Sequence, residues 1–150
     1  MEKTTNSLDR ILKQTKPEQI DCYLEHNHDE LIDEEKPFSK YMKLCIRENG
    51  LTQQDVFIRA DMSESYGYKI LSQEKHTTQR DTILRLCIAA RLTLEETQRA
   101  LKMYGMSPLY SRVSRDAVLM VALNEGTADI TDVNILLQEH GMSPLKGTDY

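Results

Sequence analysis

The chain has 150 residues, 39% hydrophobic and 29% charged, a balance that suits one domain with a buried core and excludes a wholly disordered or fibrous chain. Its three cysteines are odd in number and widely spaced, so they supply no disulfide framework, and no stretch approaches the ~18 consecutive apolar residues of a spanning helix. The net charge of -5 is unevenly spread: residues 1–37 carry five Lys and Arg against ten Asp and Glu, residues 38–105 eleven against eight, and residues 106–150 three against six, so only the middle of the chain suits an acidic partner.

The N-terminal MEKTTNSLDRILKQ is polar and amphipathic and lacks the apolar centre of a secretion signal, which with reduced, helix-embedded Cys45 and Cys87 points to an untargeted, soluble protein of the cytoplasm. Leu8, Ile11 and Leu12, then Ile20, Tyr23 and Leu24, predict two short amphipathic helices between Asn6 and His26, with Pro17 in the first turn of the second. They are expected to form a small hairpin. The acidic HNHDELIDEEKP that follows ends in Pro37 and reads as a solvated tether, the alternative being an intramolecular or partner-directed acidic arm that competes for the chain's basic face. Cys22, His26 and His28 have a spacing that could reach one zinc ion, but no further Cys/His pair completes four ligands, so no metal site is expected. His76 and His140 read as helix-end residues.

Phe38, Tyr41, Met42, Cys45 and Ile46 recur at spacings of three and four and predict a helix closed by Asn49-Gly50. The next stretch, LTQQDVFIRADMSESYGYKILSQEK from Leu51 to Lys75, reads as two short helices joined by a turn. Thr52 caps the first, Asp55 reaches back to it, and Leu51 and Val56 stand where a hydrophobic staple belongs. Asp61-Met62-Ser63 breaks that helix, since Asp tolerates the left-handed conformation, and Ser63 caps a second helix running to about Ser72.

Leu51, Thr52, Gln53, Val56, Met62, Ser63, Ser65, Lys69 and Ile70 fall without a gap on the pattern of the phage-repressor-like (Xre-type) helix-turn-helix family, which this stretch of about 25 residues resembles. Three residues depart from it. Phe57 stands where the family has Ala, Gly67 where it has a buried Ile or Val, and Asp61 where it has the turn Gly. The first two positions face each other across the helix crossing in this motif, so a large residue on one side and none on the other conserves volume. The resemblance implies a repressor-like core whose second helix enters the major groove.

Thr77 and Thr78 are placed to cap the next helix, whose run Ile83 to Ala90 is apolar nearly all round and predicts a central buried element. Thr93 and Glu96 form a second capping box, and that helix ends at Gly105. RDTILRLCIAARLTLEETQRALKMYGMSPL, from Arg80 to Leu109, then recurs as RDAVLMVALNEGTADITDVNILLQEHGMSPL, from Arg115 to Leu145, with one residue inserted. Each copy reads as a helical hairpin that buries its face against its neighbour. Arg80-Asp81 and Arg115-Asp116 read as helix-start residues, the acid favoured by the helix dipole. With the YGYK and RD-plus-GMSPL pattern, the whole chain resembles small Xre-like regulators of Firmicutes.

These readings predict an all-α protein of about eight short helices: an N-terminal hairpin and acidic linker over 1–37, a five-helix helix-turn-helix core over 38–109, and a C-terminal hairpin over 110–150 packed on that core. The DNA-facing residues expected are Gln53, Ser63, Ser65, Tyr66, Tyr68, Lys69, Ser72 and Lys75. Ser65, Tyr68, Lys69 and Ser72 would meet base edges, while Gln53 and the helix N-termini would hold phosphates. The function expected is a DNA-binding transcriptional regulator, acting as a homodimer because one such helix reads a half-site. The alternative is a scaffold that no longer binds DNA and serves as an adaptor for a protein partner, for which Tyr66 and Tyr68 are equally suited. No Gly-rich phosphate loop, nucleophile elbow or metal box is present, so neither an enzyme nor a cofactor is expected.

Overall fold

The computed structural model describes residues 5–27, 36–126 and 129–147, in which the regular secondary structure is all helical, with no strand among them. The chain divides into two units, Met1–Glu34 and Glu35–Tyr150. Among the described residues no helix is long and apolar enough to cross a membrane.

The first unit holds α1 (Thr5–Gln14), a 3-10 turn (Pro17–Gln19) and α2 (Ile20–His26). Both helices form where the apolar spacing places them, yet neither buries a single residue. Ile11, Leu12, Ile20 and Leu24 all stay exposed, so the expected hairpin has no core of its own. Seventeen residues of helix cannot enclose the ~6 to 12 neighbours a buried side chain needs. The acidic run from His28 to Glu35, and with it the third residue of the Cys22-His26-His28 spacing, lies outside the described residues.

The second unit holds α3 (Pro37–Glu48), α4 (Gln53–Arg59), α5 (Glu64–Leu71), α6 (Arg80–Ala89), α7 (Leu94–Met103), α8 (Ser114–Glu125) and α9 (Ile130–Glu139). Pro37, read from the sequence as the end of the linker, is the first residue of α3, where a missing N–H costs nothing. Helix α3 packs on α4, α5 and α7, α4 crosses α5 and α6, and α6 also meets α7 and α9. As its composition predicts, α6 is central: Thr82 through Ala89 are all buried. Its start is one or two residues later than Thr77 and Thr78 would set it, because Thr77 Oγ1 accepts from Gln79 N and spends its capping capacity ahead of the helix.

The two copies of the repeat are the hairpins α6–α7 and α8–α9, and equivalent residues make equivalent bonds. Met106 N donates to Leu101 O and Met142 N to Leu137 O, both at 2.9 Å, closing the two helix ends over Gly105 and Gly141, whose φ values of 86° and 71° suit a residue without Cβ. The Gln98 side chain grips the backbone N and O of Leu109, and Asn134 Oδ1 accepts from Leu145 N at 2.8 Å. The Arg-Asp pairs are exchanged between copies. Arg80 binds Asp116, while Arg115 forms a two-toothed contact with Asp81 at 3.0 Å for each nitrogen. They are helix-start residues, as the sequence predicts, and they also join one hairpin to the other. Asp81 is further held by Lys146 N, and Asp116 by Tyr110 N, each the residue just after Met-Ser-Pro-Leu.

Candidate nucleic-acid interface

Helix α4 starts on a capping box: Thr52 Oγ1 accepts from Asp55 N at 3.1 Å and Asp55 Oδ2 accepts from Thr52 N at 3.0 Å. These bonds, aided by Arg59, hold the Asp55 carboxyl below the usual carboxylate range. At the other end Ala60 keeps helical geometry and Asp61 turns to φ 55°, the left-handed region that Asp tolerates. Met62 N then donates to Phe57 O and Met62 tucks inward, so the chain reverses within four residues. Ser63 Oγ accepts from Tyr66 N at 3.2 Å and α5 begins.

The crossing of α4 and α5 is set by Phe57 and Gly67. A Cβ on Gly67 would lie 2.4 Å from Phe57 Cδ1 and 2.6 Å from Cγ, so the ring, 1% exposed, occupies the space a side chain would need. Phe57 and Gly67, the pair that the sequence couples, are thus the two sides of one contact. Tyr68 then lays its ring edge-on to Phe57, with centroids 4.8 Å apart.

Helical spacing sorts the rest of α5 into two faces. Tyr66, Gly67, Ile70 and Leu71 point inward, and Ser65, Tyr68, Lys69 and Ser72 are exposed along the outer side. Tyr66, expected on the outer face, is 6% exposed: it stands four residues before Ile70 and so shares that buried stripe. The Lys75 Nζ lies over its ring, 5.1 Å from the centroid. Ser63 is tied to its cap, and Ser72 Oγ donates to Lys69 O at 3.3 Å, which leaves Ser65, Tyr68 and Lys69 as the outward groups with the greatest reach. Gln53 is half-buried at the first position of α4. Glu64 and Glu74 match Lys69 and Lys75 in number, so this segment is neutral.

One residue of consequence escaped the sequence reading. Arg85, in the middle of the apolar run, is 7% exposed and donates to three carbonyls: Ala60 at 3.1 Å, Leu145 at 3.0 Å and Lys146 at 2.6 Å. It fastens the end of α4 to the end of the second repeat. The signal was present as a lone cation where every neighbour is apolar, since an unpaired buried guanidinium is too costly to persist. Arg59 is similarly committed, donating to Ala89 O at 2.8 Å.

Elsewhere, Cys45 Sγ donates to Glu96 Oε2 at 3.6 Å and burial, with the Glu96 charge, pushes its thiol up to about 11. Burial raises the Cys87 thiol further, and both stay protonated near neutral pH. No cluster of three His, Cys, Asp or Glu that could hold a metal occurs among the described residues. Compared with protein-family models, with curated proteins and with solved structures, the chain matches none.

Proposed function

We propose that the protein is a cytoplasmic DNA-binding regulator of the helix-turn-helix class, with α5 as the helix that enters the major groove. The observation that carries this reading is the outward side of α5, where Ser65, Tyr68 and Lys69 stand exposed on a helix fixed from beneath by the Phe57–Gly67 contact. A groove-reading helix needs that combination, because base readout requires a few side chains held in register by a rigid support. Lys69 donates to guanine edges, Tyr68 offers a ring face and a hydroxyl, and Gln53 contacts phosphate. Tyr66 acts from inside, and Lys75 is steadied by its ring.

The test is a titration of the protein into random-sequence duplex DNA over a salt series. Real phosphate contacts give log K falling linearly with log salt, at about 0.9 per phosphate neutralised. Lys69→Ala is expected to weaken binding by ~1 to 3 kcal/mol at a preferred site, and Gln53→Ala to weaken it at all sequences alike. No binding at low salt, where electrostatic attraction is strongest, overturns the proposal.

The second reading, an adaptor for a protein partner, is favoured by Ile58 at 71% and Tyr68 at 42% exposure on the two helices of the motif, beside a segment with as many acids as bases. It takes over if the duplex titration is flat.

A further inference from the structure

We propose that the open stripe of α8 is the surface through which two copies of this chain associate, with their α8 helices antiparallel. The repeat supplies the comparison that singles it out. Helix α6 is enclosed because α4 lies across it, and Asn49 of α3 adds a bond to Ala90 O at 2.8 Å. Helix α8 is its counterpart, with Ala117, Val118, Met120 and Val121 at the positions of Thr82, Ile83, Arg85 and Leu86. Those four residues of α6 are all buried. Their counterparts are only partly covered, Val121 remaining 57% exposed, because α8 packs on α7 and α9 and its third side lies open. The sequence has nevertheless kept these four positions apolar, whereas on a solvated helix polar residues would stand there, as exposed Ser114 and Asn124 do toward the two ends of the same side.

Charge decides what covers it. Val118, Val121 and Glu125 follow one another at spacings of three and four, so the exposed acid ends the stripe, and exposed Arg112 stands just ahead of the helix. Two copies laid antiparallel across a twofold axis near Val118 bring Arg112 of each beside Glu125 of the other, and they oppose the helix dipoles favourably. A parallel pairing sets like beside like. The stripe is therefore complementary to itself in one orientation. A helix of 12 residues is ~18 Å long and covers less than a standard interface, which sets the association in the micromolar range or weaker.

The test is sedimentation equilibrium of the full chain without DNA, from about 10 to about 500 µM, so that protein alone is weighed. The expected result is a mass that climbs with concentration toward that of a dimer. Val121→Asp is expected to raise the dissociation constant ~10-fold or more, with far-UV circular dichroism unchanged because the side chain is exposed. Val121→Ser serves the same purpose if the acid disturbs the helix. Arg112→Glu and Glu125→Arg are each expected to raise it about two- to fivefold, and the two together to restore it. A monomer throughout, a dimer indifferent to position 121, or a double variant no better than the singles overturns the inference. Since no DNA is present, such a failure leaves the duplex titration to be decided on its own.

Discussion

Replacing Gly67 by Ala is the smallest change that addresses the crossing of α4 and α5. On an isolated helix it stabilises, since Ala is better than Gly by roughly 0.5 to 1 kcal/mol. Here the new methyl would sit 2.4 to 2.7 Å from three carbons of the Phe57 ring, well inside contact distance. Rotating the ring about its own axis does not relieve this, because Cγ lies on that axis and is itself 2.6 Å away. The whole side chain must swing, and Tyr68 packs against it at 4.8 Å. Overpacking of this kind costs ~1 to 3 kcal/mol, so a net loss of ~0.5 to 2 kcal/mol is expected after the propensity gain is subtracted. Gly67→Ile should cost more, and Phe57→Ala alone ~3 to 5 kcal/mol from the cavity it leaves. Phe57→Ala with Gly67→Ile should recover much of the loss, with a coupling of at least ~1 kcal/mol. Urea denaturation at 25 °C, read as a midpoint change at constant slope, measures all four corners. A stabilising Gly67→Ala, or strictly additive losses in the cycle, would refute the reasoning.

Four further outcomes follow from individual bonds. Burial alone would raise the Asp81 carboxyl, but the Arg115 hydrogen bonds, the Lys146 N–H and the charges of Arg115 and Arg80 outweigh it and hold the group below the ordinary carboxylate value. Its stabilising effect is then complete above the unfolded pKa of ~3.9 and lost as pH falls through the folded one, so the urea midpoint should drop below about pH 4, and less steeply in Asp81→Asn. Arg115→Gln at pH 7 should cost ~1 to 3 kcal/mol by leaving a half-buried acid without its partner, and a loss no larger than that of an ordinary surface change would count against the exchanged pairing. Tyr104→Phe removes the hydroxyl oxygen that accepts from Thr77 N at 2.9 Å, and the orphaned donor should cost ~1 to 2 kcal/mol by thermal melting. Arg85→Met, which installs the residue found at the matching point of the second copy, should cost ~2 to 4 kcal/mol by withdrawing charged donors from three carbonyls. A neutral result there would mean that water replaces the guanidinium.

What could be read in advance was whatever the chain settles within four residues. The Thr52–Asp55 and Thr93–Glu96 boxes, the Ser63 cap, the left-handed Asp61 and the Gly-closed helix ends are local contests between a side chain and the nearest backbone, and residue type decides them. The Phe57–Gly67 contact reached further only because a second residue departed from the expected pattern in the compensating sense. Tyr66 misled because an amphipathic ring is at home on either face, and its register against Ile70 should have outweighed its chemistry. The exchange of the Arg-Asp pairs was not legible, and for Arg85 the sequence signalled that a buried cation needs partners without saying which. Their partners stand 34 to 36 residues away in the first case and up to 61 in the second, distances at which pattern carries no information and only the packing of the hairpins does.

The Arg85 clamp also sets a schedule for the growing chain. Synthesis runs from the N-terminus, so α3 to α6 leave the ribosome while two of the three acceptors of Arg85, and the Lys146 amide that Asp81 needs, have yet to be made. During that interval a guanidinium meant for the interior has only the Ala60 carbonyl, and the favourable course is to keep α6 hydrated and its apolar sides loosely docked. Closing a loop of about 60 residues costs little more entropy than closing a shorter one, so the clamp can form once residues 145 and 146 emerge. The α4–α5 pair is then locked by the last segment of the second repeat, and a nascent chain held short of that segment would carry its candidate reading helix on an unfinished support.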